Sequence, residues 1–199
     1  MSLLNPVSSP YVMAGGLIVW ENIFSAAELD AMEQHGERLT LEKAELVAQG
    51  TGRDSIRVTK VAWFERNAQT ERFYARVEEI VLRLNAQFFH YDLSGLVSFQ
   101  YARYDAAECG HFDWHKDYGK DYGAPDQEPR KLSLSIQLSD HANYQGGDLE
   151  VRAGNQVDVA PKARGTIIAF PSYVLHRVTP TTSGARKSLV VWAVGPEFK

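Results

Sequence analysis

The stretch "GHFDWHKDYG", Gly110 to Gly119, holds two overlapping His-x-Asp pairs, His111 with Asp113 and His115 with Asp117. Residues two apart on a β-strand point to the same face, so each pair would set an imidazole beside a carboxylate. On a helix the same spacing would splay them apart. Two ligands do not make a metal centre, and a third must come from elsewhere. His176, near the end of the strand-like run "FPSYVLHRV", is the best candidate. Two imidazoles and one carboxylate on one face of an octahedron suit non-haem Fe(II) and leave three positions open. Spacing does not choose between the pairs. On a regular strand His111, Asp113, His115 and Asp117 would all share one face.

Three open positions accommodate a bidentate co-substrate such as 2-oxoglutarate together with dioxygen. The far carboxylate of 2-oxoglutarate then needs a buried cation. Arg186 stands ten residues after His176. The intervening "VTPTTSGA" reads as a turn, so Arg186 is expected to start the next strand. An arginine can hold a carboxylate through two parallel bonds, which a lysine cannot. Such a charge-assisted pair is worth about 1.5–3 kcal/mol net.

These groups need a scaffold, and the second half of the chain reads as one. From Leu96 onward short strand-like runs alternate with turn signals: "LVSFQYARYD", "KLSLSIQLS", "DLEVR", "QVDVA", "GTIIAF", "YVLHRV" and "KSLVVWAV". Many short strands at close spacing indicate a sandwich or barrel. In "KLSLSIQLS" Leu132, Leu134, Ile136 and Leu138 face one way, the serines and Gln137 the other. A double-stranded β-helix, the jelly roll of cupins, is the expected type because it carries a polar site in its wider mouth. The first half is mixed. Ser25 and Glu28 form a capping box before a helix, with Phe24 and Leu29 placed for a hydrophobic staple. "SIRVTKVAWF" reads as a strand. Thr70 is expected to cap a second helix, in which Phe73, Val77, Ile80, Val81, Leu84 and Phe88 make one apolar stripe. The expectation is a mainly β protein with flanking helices. Residues 1–95 support a core at 96–195, the helices pack on its outer face, and the whole makes one compact domain.

The bulk properties agree with such a protein. The chain has 199 residues, 44% hydrophobic, with net charge −4. That is enough for one sizeable core, and the absence of a basic face disfavours nucleic-acid partners. A single cysteine, Cys109, excludes an intrachain disulfide and fits a reducing compartment. The N-terminal apolar run, Leu17 to Trp20, is too short for a signal or a membrane span. The expected location is the cytoplasm, with no membrane partner.

From Phe99 to Val194 the sequence resembles the Fe(II)/2-oxoglutarate-dependent dioxygenases, in particular the bacterial prolyl-4-hydroxylase-like (PKHD-type) hydroxylases. The resemblance runs through "YDAAECGHFDWHKD", "RKLSLSIQLS", "YQGGDLEV" and "GTIIAFPSYVLHRVTPTTSGARKSLVVW". In that family a glycine and an aromatic residue precede the proximal histidine as Gly110 and Phe112 precede His115. The resemblance therefore selects His115, Asp117 and His176 as metal ligands and Arg186 as the co-substrate anchor. It also implies Tyr104, Ser188 and Trp192 beside the co-substrate, the alternatives being a core aromatic at Tyr104, a buried hydroxyl satisfied by a neighbouring strand at Ser188 and a core tryptophan at Trp192. At Gln137 several relatives carry a tyrosine, a departure within the co-substrate clamp. The implied cofactors are Fe(II), 2-oxoglutarate and O2, with ascorbate as a reductant. The implied reaction is hydroxylation of an unactivated C–H bond in a prolyl or other protein residue. Alternatives are a free amino acid or secondary metabolite as substrate, or a jelly-roll module that binds a ligand without catalysis. Asp117 speaks against a halogenase, because related halogenases lose that carboxylate.

The remaining candidates have plainer readings. His111 and Asp113 then hydrogen-bond locally or line the approach. His141 reads as solvated. His35 and His90 end or flank helices, where a cationic ring is favoured. Cys109 reads as a small buried side chain. The polar loop 116–130, with Tyr118, Tyr122 and Arg130, is a candidate substrate-facing lid.

Overall fold

A computed structural model describes residues 8–46, 56–97, 99–118 and 128–198. Strands β1 (Tyr11–Val12) and β2 (Ile18–Trp20) precede helix α1 (Ala26–Arg38); β3 (Glu42–Leu46) and β4 (Arg57–Phe64) precede helix α2 (Glu71–Leu84). Then follow β5 (Gly95–Leu96), β6 (Phe99–Asp105), β7 (His111–His115), β8 (Arg130–Gln137), β9 (Tyr144–Gly146), β10 (Leu149–Ala153), β11 (Gln156–Val159), β12 (Ile167–Pro171), β13 (Leu175–Val178) and β14 (Thr181–Val194). Every pairing is antiparallel, and the main order is β1-β2-β12-β8-β14-β6-β4-β7-β13-β10-β11.

The sheet curls, and its packing shows why. Val19 of β2 and Ile168 of β12 share one apolar cluster with Leu149 and Val151 of β10, though these strands lie toward opposite ends of the order. The other face carries a larger cluster, in which Leu132, Leu134, Ile136, Leu189 and Val191 meet Leu29, Met32, Phe73, Val77 and Ile80 of the two helices. A mainly β, curled antiparallel sheet with few helices fits a jelly roll.

Strand β14 decides how the barrel mouth is built. Its first residues pair with β9, and from Ala185 onward it pairs with β6 and β8. Gly184 sits at the change-over with φ +65°, and a Cβ there would meet the Asn143 carbonyl oxygen at 2.0 Å. The expected turn before Arg186 is thus half strand. β14 begins at Thr181, and Arg186 lies within it rather than at its start. Pairing with β9 recruits residues whose composition reads as a turn.

Ser25 and Glu28 form the capping box, and Phe24 and Leu29 both join the core. Thr70 makes no side-chain cap to α2. Its hydroxyl donates to the Glu65 carbonyl and accepts the Asn67 N–H, while the Asn67 carboxamide oxygen takes the Gln69 and Thr70 N–H groups just before the helix. The helical stripe is buried through Leu84. Asn85–Phe89 then form a π-turn that leaves Phe88 half-buried against the core. Among the described residues no helix is long and apolar enough to cross a membrane.

Candidate metal centre

His115 ends β7 and His176 lies on β13, directly opposite in the ladder. Their rings are 4.1 Å apart, and Asp117 follows just beyond β7. One ligand atom from each of His115, Asp117 and His176 lies within 4.8 Å of the other two. Asp117 Oδ1 is 3.8 Å from His115 Nε2, and Oδ2 is 3.5 Å from His176 Nε2. Each imidazole donates its Nδ1–H to a carbonyl, His115 to Asp113 at 2.8 Å and His176 to Val174 at 3.0 Å. A carbonyl can only accept, so this fixes the tautomer and turns both Nε2 lone pairs toward the carboxylate.

The ladder also resolves the choice that spacing left open. His176 pairs with His115 but Val178 pairs with Phe112, so β7 spends three residues where β13 spends two. This β-bulge breaks the alternation. Phe112 and His115 therefore share a face, stacked at 3.4 Å, and both line the cavity. His111 and Asp113 do not line it. His111 bonds the Cys109 carbonyl, and Asp113 accepts the Trp114 N–H. The regular-strand premise, with four side chains on one face, does not hold.

Electrostatics suit a cation between these groups. Burial above all, then His176, holds His115 down at about 3, although Asp117 opposes this. A neutral imidazole is what a metal needs. Burial alone would raise the Asp117 carboxyl, but His176, His115, Trp192 and Ser133 outweigh it and hold the group below the usual carboxylate range. Ser133 does so through a 2.8 Å hydrogen bond. The buried Trp192 Nε1 leans toward the carboxylate but stops short of a full hydrogen bond. A neutral His115 imidazole, a second imidazole from His176 and one ionised carboxylate fit an iron of the facial-triad type.

The triad opens into a cavity of about 170 Å³ that Arg186, Ser188 and Tyr104 also line. Arg186 is 2% exposed. Its guanidinium donates to Ser188 Oγ at 3.1 Å and lies 5.4 Å from the Tyr104 ring, its cross-strand neighbour. Among the described residues no carboxylate pairs with it. A buried guanidinium held only by neutral groups is costly unless an anion joins it. Gly147 (φ +59°) packs against this side chain, and a Cβ there would press on Arg186 Cδ at 3.1 Å.

Residues 99–194 match the family model described as the 2OG-Fe(II) oxygenase superfamily. The matched span holds the triad and Arg186. The name of that family implies Fe(II) and 2-oxoglutarate, and the donor set of the triad fits the metal. A PKHD-type hydroxylase of Acidovorax ebreus is 41% identical over 61 residues, which are 31% of this chain and 27% of that protein. The match thus spans little more than a quarter of such relatives. A Pseudomonas putida prolyl-4-hydroxylase superposes with TM-score 0.70 at 20% identity, over 92% of this chain and 94% of that one. A Trichoplax adhaerens prolyl hydroxylase, solved with a hypoxia inducible factor oxygen degradation domain peptide fragment, gives 0.68 at 17% identity, over 91% and 84%. At such identities these structures share the fold.

Tyr104, Ser188, Trp192 and Arg186 all stand on the cavity lining, together with the triad. Gln137 is turned away from the tyrosine role. Its amide donates to the Tyr144 hydroxyl at 2.8 Å. Burial raises that phenol above its usual range, and the Arg186 cation beside it pulls the other way. Tyr144 was not singled out from sequence, because its position depends on the pairing of β9 with β14. Ser133 and Ser172 were missed too, although the buried serine face of β8 was a usable signal. Arg130 belongs to β8, not to the loop, and its guanidinium stacks 3.8 Å over Trp192. Tyr118 donates to Glu197 at 2.8 Å, while Tyr122 lies outside the described residues. Cys109 is exposed in a left-handed turn, not buried. His35 is not a favourable helix-end cation. Burial, then Arg38 and Arg72, lower its pKa, and its ring packs edge-on against Phe64 at 4.5 Å. His141 is exposed beside Asp140, and His90 ends the π-turn.

Proposed function

We propose that this chain is an Fe(II)- and 2-oxoglutarate-dependent hydroxylase of a peptide or protein residue, with a prolyl side chain as the first candidate. The observation that carries the reading is the buried Arg186, without a carboxylate partner among the described residues, across one cavity from the His115, Asp117 and His176 triad. In this reading the three side chains hold the iron, and Arg186 with Ser188 holds the distal carboxylate of 2-oxoglutarate. Iron bound there would couple oxidative decarboxylation of 2-oxoglutarate to attack on a C–H bond. The protein's part is orientation and dryness. Tyr104 flanks the anchoring guanidinium, Phe112 and Phe170 pack on the two imidazoles, and Trp192 walls the space between. Residues 1–95 brace the 96–195 core, with α1 and α2 on the outer face of the sheet. The single cysteine suits a cytoplasmic setting.

Peptide substrate is preferred because a structural neighbour was solved with a peptide fragment and the curated relatives are named PKHD-type hydroxylases. The test is succinate release from 2-oxoglutarate with Fe(II) and ascorbate. Proline-containing peptides, free amino acids and small metabolites are supplied in parallel. Peptide-stimulated, iron-dependent succinate supports the proposal. Stimulation by free amino acids or metabolites alone overturns the substrate class, and no iron-dependent succinate under any condition overturns the enzyme.

A further inference from the structure

We infer that Ser133, oriented by Ser172, is a positioning residue that sets the Asp117 carboxylate for metal binding; this rests on the metal-centre reading above. Ser133 lies on the cavity face of β8 and is 1% exposed, and Ser172 is fully buried. Ser133 Oγ is 2.8 Å from Asp117 Oδ2 and 2.9 Å from Ser172 Oγ. A hydroxyl has one proton, and an ionised carboxylate cannot donate. The Ser133 proton therefore goes to Asp117, and the Ser172 proton must go to Ser133. The chain of donors has one direction and ends on the metal carboxylate.

Ser172 also holds Asp117 directly, through its backbone. Its carbonyl accepts the backbone N–H groups of Asp117 and Tyr118, both at 2.9 Å. Asp117 has left the β7 ladder by this point and needs such anchoring. The hydrogen bond holds Oδ2, which lies 3.5 Å from His176 Nε2, and so fixes the rotation that sets Oδ1 3.8 Å from His115 Nε2. Two buried hydroxyls are costly in a dry wall unless each is satisfied, and here the satisfaction converges on one carboxylate. Outer partners of this kind commonly govern metal affinity by 10–100-fold.

The experiment titrates metal-free protein with Co(II) and follows its visible absorption, which reports affinity and coordination without turnover. Ser133→Ala should keep its circular dichroism, bind Co(II) about 10–100-fold more weakly and show an altered spectrum. Ser172→Ala should show a loss in the same direction but smaller, since Ser133 keeps its own donation. Ser133→Thr, which restores the hydroxyl, should return the affinity toward that of the unaltered protein. A folded Ser133→Ala protein with unchanged Co(II) affinity and spectrum overturns the inference. Should Ser133→Ala not fold, unchanged affinity in Ser172→Ala overturns it instead. Failure of the unaltered protein to bind Co(II) would sink the metal-centre reading itself, and the inference with it.

Discussion

Along β8, Leu132 and Ile136 point into the layer beneath the helices, while Ser133 and Ser135 line the cavity and Gln137 bonds Tyr144. Both sets are buried. The apolar face is held by area and shape, so any side chain of suitable volume would serve there. The polar face must find a partner for every donor and acceptor, because an orphan costs about 1–3 kcal/mol. Ser133 finds Asp117, and Gln137 finds Tyr144. The difference teaches where this protein stores stability and where it stores chemistry. One strand, equally dry on both sides, supplies each.

Four changes break or sharpen that contrast. The largest effect belongs on the cavity side. His176→Ala should lower iron-dependent 2-oxoglutarate turnover by at least about a thousandfold, roughly 4 kcal/mol, with little loss in denaturant midpoint. Turnover at the normal rate would remove His176 from the centre. Next, Ile136→Ala on the apolar face should cost about 2–5 kcal/mol of unfolding free energy. Metal affinity in the folded fraction should stay unchanged. A drop in affinity matching that of His176→Ala would show that the two faces are not separable.

Arg186→Lys keeps the charge but loses the fork. The 2-oxoglutarate concentration for half-saturation should rise about ten- to a hundredfold, the equivalent of about 1.5–3 kcal/mol. Unchanged saturation would deny Arg186 its anchoring part. The smallest effect lies at His35, which packs on Phe64 under the apolar layer. Its pKa is lowered in the folded protein, so between that lowered value and about 6.5 the unfolded chain binds the extra proton. Its contribution is fully present above about 6.5 and is lost as the pH falls below it. His35→Gln should therefore show a shallower loss of stability on acidification, read as denaturant midpoint against pH. Parallel curves for the two proteins would contradict this.

Much of the scaffold was legible because its signals are local. Alternation in "KLSLSIQLS", the Ser25/Glu28 box and the stripe from Phe73 to Leu84 each depend on residues within one or two turns or pleats. Misreadings arose where a distant partner overrode the local signal. "TTSGA" reads as a turn until β9 pairs with it, and Thr70 reads as a cap until its hydroxyl bonds Glu65 and Asn67 instead. Cys109 reads as buried until the left-handed turn before Gly110 lifts it to the surface.

The chain by itself determined the donor set of the site: imidazoles, a carboxylate and an arginine at spacings that a β framework can gather, for residue type and order are written in it. Resemblance to a family selects His115 and Asp117, but spacing cannot say why, and only the tertiary structure supplies the physical reason. That choice hangs on a bulge, and a bulge is a relation between β7 and β13 rather than a property of β7 alone. The same holds for the serine that steadies Asp117 and the phenol beside Arg186, since hydrogen bonds across a barrel are set by register, which forms only when the strands pair.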